Sequence, residues 1–377
     1  MIITKFIALL YVSMIISTFF SEYFYSGVEQ IIKQSVFFII VYIIYSFMDR
    51  IKYIKTVLAA LTFAAIVITI SILSEYLSTG FNVVDTAVGK EIRMTGILSN
   101  INAAGSFYGA LFPILLSLAG IIKVSKYKIL LYVLNIFLFC GIIFTTSRSA
   151  YLGILAGTLF VFYILNKKLF VKFIIILGTA ILIVFITPSL NNFFSIFLRF
   201  ESGVSQRDHL WALSIHMIKD HPFFGIGPGA YSYEMLNYFP VLLNTWVGQQ
   251  LIILRDVTFG ANNSHNFFLF FASDMGVLGL ITAILLPVTF VRSGMIAMRK
   301  FRNHDTKFYT LTVGIMAAGL GLFVRGIFEG IGLLTYGWIT MDLPFWIIFT
   351  ILISLNHYDH KLVNVNNHFS EFAGRKI

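Results

Sequence analysis

The chain has 377 residues, 58% of them hydrophobic and only 12% charged, with a mean hydropathy of +0.87. A soluble surface needs about a quarter of all residues charged, and 40 Phe with 18 Tyr cannot all hide in a water-soluble core. Soluble multidomain and disordered classes are excluded, and the single cysteine, Cys140, excludes an intrachain disulfide or a cysteine-based metal site.

In chain order, ten runs are apolar and long enough to cross a bilayer, which takes about 20 residues of helix. They are 2–20, 29–48, 56–77, 101–122, 129–146, 149–166, 173–190, 265–291, 308–328 and 338–356. They are continuous rather than alternating, which argues against a membrane β-barrel. No small-residue cleavage site follows the first, so it reads as a span. The expected fold is all-α integral membrane, with about ten (10–12) transmembrane helices.

Lys and Arg orient the spans. With the N-terminus in the cytoplasm, the inner segments receive 18 of the 27 basic residues and only four of the 17 acids. The net charge of +10 is thus a topology signal rather than a nucleic-acid patch. Four regions are expected: N-terminal transmembrane helices (1–190), a large extracytoplasmic loop carrying short helices (191–264), C-terminal transmembrane helices (265–356) and a solvated cytoplasmic tail (357–377).

Within the long loop, Ser205 and Asp208 have capping-box spacing and predict a helix from Gln206 to about Lys219. His221-Pro222 stops it, because the residue before proline disfavours helical backbone. Gly225-Ile-Gly227-Pro-Gly229 follows. No strand precedes it, so it reads as a tight turn with close backbone approach, or alternatively as a phosphate-touching nest.

Chemistry concentrates in a few residues. His265, directly before Asn266 and an apolar run, reads as an interfacial anchor or a general base. Arg148 lies between two apolar runs with almost no loop to expose it. At membrane depth an arginine costs about 3 kcal/mol or more unless it faces protein or a wet cavity, so the choice is snorkelling or an anion site. Arg207 alone is an ordinary exposed charge, and Arg93 is uninformative alone. Arg325 and Glu329, four apart, are expected to pair on one helix face. Arginine forks suit a diphosphate, and aromatic faces such as Trp211 suit sugar rings. No Asp-x-Asp motif occurs, so a metal-held nucleotide sugar is not indicated. His357-Tyr-Asp359-His360 reads as a solvated end rather than a metal cluster.

Four stretches, in this order, resemble the O-antigen ligase and polymerase family of bacterial membrane glycosyltransferases. They are Arg93-Met-Thr-Gly96 with Asn100-Ile-Asn102; Thr146-Ser-Arg148-Ser-Ala150; Arg207…Trp211…His221-Pro222…Gly225-Ile-Gly227-Pro-Gly229; and Ser264-His265-Asn266…Gly276-Val-Leu-Gly279. The resemblance implies a GT-C-like bundle in the cytoplasmic membrane that works without metal or cofactor. It implies a glycan donor on a polyprenyl diphosphate and a glycan or lipid-linked acceptor on the outer face. Membrane lipids surround it, with a flippase and a chain-length regulator as expected companions. By the match, Arg148 and Arg207 hold the diphosphate, and His265 orients or deprotonates the acceptor. Arg93, Asn266, Trp211 and Arg325 are the further substrate-binding candidates. Polymerisation of a capsule, exopolysaccharide or cell-wall glycan is favoured. Ligation to another acceptor, or transport of a lipid-linked saccharide, is the alternative.

The charge partition makes a direct prediction. A cysteine introduced near 230 should react with an impermeant label added from outside, and one near 300 should not. The reverse pattern would sink the orientation.

Overall fold

The computed structural model describes residues 2–48, 51–80, 84–85, 90–91, 94–98, 100–122, 124–191, 207–238 and 263–358. Among these, ten helices are long and apolar enough to cross a membrane. They are α1 (Ile2–Phe20), α2 (Phe24–Ser46), α3 (Ile51–Ser78), α4 (Ile101–Ala119), α5 (Ser125–Thr145), α6 (Arg148–Leu165), α7 (Lys167–Ile186), α10 (Phe267–Phe301), α11 (Thr306–Gly326) and α12 (Ile339–His357). Two shorter helices, α8 (Arg207–Asp220) and α9 (Tyr231–Tyr238), lie between α7 and α10. Val84–Asp85 and Lys90–Glu91 form a two-residue antiparallel ladder. The protein is an all-α integral membrane protein, as composition requires.

Each expected span has its helix, but the ends differ. Helix α2 starts at Phe24 rather than 29, α3 at Ile51 rather than 56, α7 at Lys167 rather than 173, and α10 runs on to Phe301. The extra turns of α3 and α7 carry exposed Lys52, Lys55, Lys168 and Lys172. Hydropathy stops at such charges, whereas the backbone ladder continues while the long side chains carry their charge toward water. α7 has no buried residue at all. It packs chiefly on α6 and offers its apolar surface to lipid.

Helix α11 is the centre of the bundle, packed most closely on α6 and α4. A Cβ on Gly153 of α6 would stand 2.7 Å from the Gly321 carbonyl oxygen of α11, so these two backbones touch. Close contact of this kind holds helices together where lipid is as apolar as their side chains. Beside it, Phe290, Phe323, Phe345, Trp346 and Phe349 pack with ring centroids 5.2 to 5.8 Å apart.

The glycine turn has a structural duty. Helix α10 is broken at Gly276 (φ 60°, ψ −147°), and the turn docks into the break. Ile226 N–H donates to Ser273 O, Gly227 N–H to Asp274 O, and Val277 N–H to Pro222 O, each at 2.9 Å. Gly229 N–H and the Tyr336 hydroxyl donate to Asp274 Oδ2 at 3.0 and 2.9 Å. The N–H groups of Ile226, Gly227 and Gly229 are therefore spent on α10 rather than gathered as a phosphate nest. The first turn residue, Gly225, sits at φ +70°, and a Cβ there would lie 2.4 Å from the Asp274 carbonyl. Left-handed backbone alone costs a non-glycine residue about 1–2 kcal/mol, and the clash adds to it. Gly225→Ala should therefore lower the thermal midpoint in detergent, while Gly178→Ala, inside helix α7 with open space around it, should hold or raise it.

Candidate active site

The site is built by the segment after α11. The helix ends at Gly326, and residues 329–336 are buried without being helical. Irregular backbone survives at such depth only where protein groups satisfy it. Arg325, itself buried, donates from Nη1 to Ile331 O at 2.8 Å and from Nη2 to Asn102 O at 2.6 Å. Asp342 accepts from Gly332 N–H and from both the N–H and the hydroxyl of Thr335. Trp346 Nε1 donates to Leu333 O at 2.8 Å.

This changes the expected Arg325–Glu329 pair. Glu329 lies beyond the helix end, so the two share no helical face, and Arg325 is committed to backbone carbonyls instead. Glu329 turns toward the start of α10 and the start of α8. Its Oε1 lies 2.9 Å from His265 Nδ1, and its Oε2 lies 3.6 Å from Arg207 Nη2. Gly330 N–H also donates to Oε1 at 3.1 Å. The carboxylate is fully buried, Arg207 is 16% exposed and His265 33% exposed. Burial pushes the Glu329 carboxyl up, but His265, Arg325 and Arg207 outweigh it and hold it down at about 2. At neutral pH it is an anion shared by a histidine and an arginine.

Local structure explains each position. Asn266 caps α10, its Oδ1 accepting from Phe268 N–H at 2.9 Å and Leu269 N–H at 3.0 Å. His265 precedes the cap in left-handed backbone (φ 50°), held by its N–H donating to Asn263 Oδ1 at 2.8 Å. Arg207 is the first residue of α8, and Trp211, one turn on, packs 6.3 Å from the Phe328 ring. Arg148 is the first residue of α6, half-buried, after a reversal in which Thr146 takes φ 50°. That reversal is tied to α4, because Ser147 Oγ donates to Asn102 Oδ1 at 3.3 Å. Asn102 thereby links the Arg148 turn to Arg325, and Arg325 links it to the Glu329 segment.

Of the seven site residues expected from sequence, the structure brings His265 and Arg207 together on one carboxylate. Trp211 reaches the same segment through Phe328, and Arg325 underpins it. Arg148 sits on the neighbouring turn. Asn266 has its side-chain oxygen occupied by the cap, so what it can offer a substrate is its amide NH2. Arg93 lies outside the described residues, as does Ser205 of the expected capping box; the tail beyond Tyr358 does so too.

Residues 133–284 match the family model described as O-antigen ligase. This stretch is similar to the O-antigen ligases. The resemblance read from the four motifs is borne out over that stretch, which holds Arg148, Arg207, Trp211, His265 and Asn266. No curated protein matches the chain. The ten apolar helices among the described residues make this a multi-pass membrane protein, and the match supports glycan handling in polysaccharide synthesis with glycosyltransferase-like chemistry.

Glu329 is the residue that sequence reasoning underrated. It lies outside the matched stretch, 64 positions from His265. The available signal was a lone acid after an apolar run, in the glycine-rich stretch Gly326–Gly332. Helical spacing assigned it to Arg325 instead.

The cap gives a separable prediction. Asn266→Ala should cost about 1 kcal/mol of stability, whereas Asn266→Asp, which keeps the capping oxygen, should not. Thermal unfolding in detergent reads both. Loss of transfer in Asn266→Asp at full stability would assign the amide NH2 to substrate.

Proposed function

We propose that the protein transfers a glycan from a polyprenyl diphosphate carrier to an acceptor hydroxyl on the outer face of the cytoplasmic membrane, with polymerisation of surface polysaccharide favoured over ligation. The observation that carries this reading is the convergence of His265 and Arg207 on buried Glu329, within reach of the family motifs. The acceptor oxygen attacks the anomeric carbon, and the bond from that carbon to the diphosphate oxygen breaks. The polyprenyl diphosphate leaves with the bonding electrons. Nε2 of His265 takes the hydroxyl proton.

The developing negative charge on the diphosphate needs fixed donors, each typically worth about 3 kcal/mol of transition-state stabilisation. Arg207 and Arg148 are the residues assigned to it, since a guanidinium fork matches phosphate oxygens. Holding donor and acceptor at one membrane-anchored site also lowers the entropic cost of their meeting. No metal is needed in this scheme. Direct displacement inverts the anomeric centre. Arg93, Trp211 and Arg325 serve the substrates in this reading, Trp211 by its aromatic face and Arg325 by fixing the 329–336 segment. A flippase delivers the donor and a chain-length regulator sets the product.

The experiment is transfer by purified protein with extracted lipid-linked donor. Arg148→Lys and Arg207→Ala should each abolish most polymer formation at normal protein level. His265→Ala should slow transfer by about 10²- to 10⁴-fold, the usual value of a general base, while donor still binds. A transporter would instead show altered donor movement and no transfer. Near-normal polymer from Arg148→Ala at equal protein level would leave snorkelling as the better account of that residue.

A further inference from the structure

Three observations around Glu329 remain after the transfer scheme has used His265 and Arg207. The first is its burial. A carboxylate removed from water pays several kcal/mol unless partners compensate, yet Glu329 is fully buried and its Oε2 makes no hydrogen bond. Among the described residues that oxygen meets Arg207 Nη2 at 3.6 Å, an ion pair longer than a hydrogen bond. A group kept for stability alone would be better replaced by an apolar side chain of similar volume.

The second is the state of the imidazole. Glu329 is ionised, and an ionised carboxylate only accepts hydrogen bonds. The hydrogen on the 2.9 Å contact must then be on Nδ1 of His265. In a neutral ring that makes Nε2 the acceptor. Among the described residues Nε2 has no hydrogen-bond partner. A third of the His265 side chain is exposed although Glu329 is sealed, so the Nδ1 contact is made on the buried side of a ring that solvent still reaches.

The third is the backbone. His265 is held at φ 50°, a left-handed conformation that a residue with a side chain adopts at a cost of about 1–3 kcal/mol and that clusters at functional sites. Asn263 and the α10 cap on either side keep it there. The segment that follows Glu329 is equally fixed, because Arg325, Asp342 and Trp346 pin residues 331–335.

We propose that Glu329 is the positioning residue of the transfer site: it accepts the Nδ1–H of His265, so that Nε2 is kept as the open acceptor for the hydroxyl proton, and it anchors Arg207 on the same carboxylate. This rests on His265 being the base. One buried anion thereby couples the proton-accepting group to the diphosphate-binding group. The carboxylate does not take the proton. It fixes which nitrogen can.

The test uses the full chain in lipid nanodiscs, with extracted lipid-linked donor, the Glu329→Gln and Glu329→Asp variants, and His265→Ala as reference. Removing the partner that orients a functional histidine costs from about 10-fold to about 10⁴-fold in activity. Glu329→Gln should lose that much in kcat, and Glu329→Asp should recover part of it. Nitrogen-15 spectra of histidine-labelled protein, with the His265 signal assigned by its absence in His265→Ala, should show the Nδ1–H tautomer in the wild type. They should show a shift toward Nε2–H in Glu329→Gln, whose amide can donate. A slower enzyme with an unchanged tautomer would reduce Glu329 to a structural role and overturn the proposal. So would wild-type transfer by Glu329→Gln while His265→Ala is dead, and the base assignment would then survive. If Glu329→Gln does not accumulate, Glu329→Asp decides by the same two readouts: wild-type kcat with an unchanged ring spectrum overturns the proposal. Wild-type transfer by His265→Ala itself overturns the parent reading, and is distinguished because Glu329 is intact in that protein.

Discussion

In hydrocarbon every backbone N–H and C=O must find its partner within the protein. Helices meet that demand internally, which is why apolar runs of bilayer length become helices here. Every departure from helix must be satisfied by other protein groups. Three such departures matter: the reversal at Thr146–Ser147, the break at Gly276, and the buried segment 329–336. Each is closed by a specific set of polar contacts. Those sets draw residues from distant parts of the chain to the same helix ends.

The candidate site follows from that requirement. Arg325 is buried to satisfy Ile331 and Asn102, and in doing so it fixes the segment that bears Glu329. Glu329 in turn needs a hydrogen-bond donor and a positive charge, and it finds His265 Nδ1 and the Arg207 guanidinium at the starts of α10 and α8. The glycine turn sits in the same scheme. Its backbone serves the break at Gly276 in α10, which carries the Asn266 cap ten residues upstream. The motif residues are thus a mixture: some bring ionisable side chains to the buried carboxylate, and others repair the backbone that positions them. Gly225 and Asn266 belong to the second kind by their contacts. His265 and Arg207 converge on one buried anion.

Sequence legibility divides along the same line. The ten spans, the α8 helix and the turn after His221-Pro222 were readable because hydropathy and proline rules are local. The Arg325–Glu329 pairing misled because it assumed a helix that stops at Gly326. Helical spacing could not report that Arg325 would be needed four positions before by the carbonyls of Ile331 and Asn102. Arg148 and Arg207 were legible as unusual charges, and His265 as a histidine at a membrane entrance. Nothing local said that a glutamate 64 positions away would bind that histidine.

By itself the sequence determined the class, the number of spans and the residue types available for chemistry, since bilayer thickness and the cost of charge in lipid act on each segment separately. Only the tertiary structure decided which nitrogen of His265 is held, which anion Arg207 faces and which carboxylate is buried between them. Those choices depend on helix ends brought side by side by non-local packing, and a buried charge is tolerated only where such packing has already placed its partners.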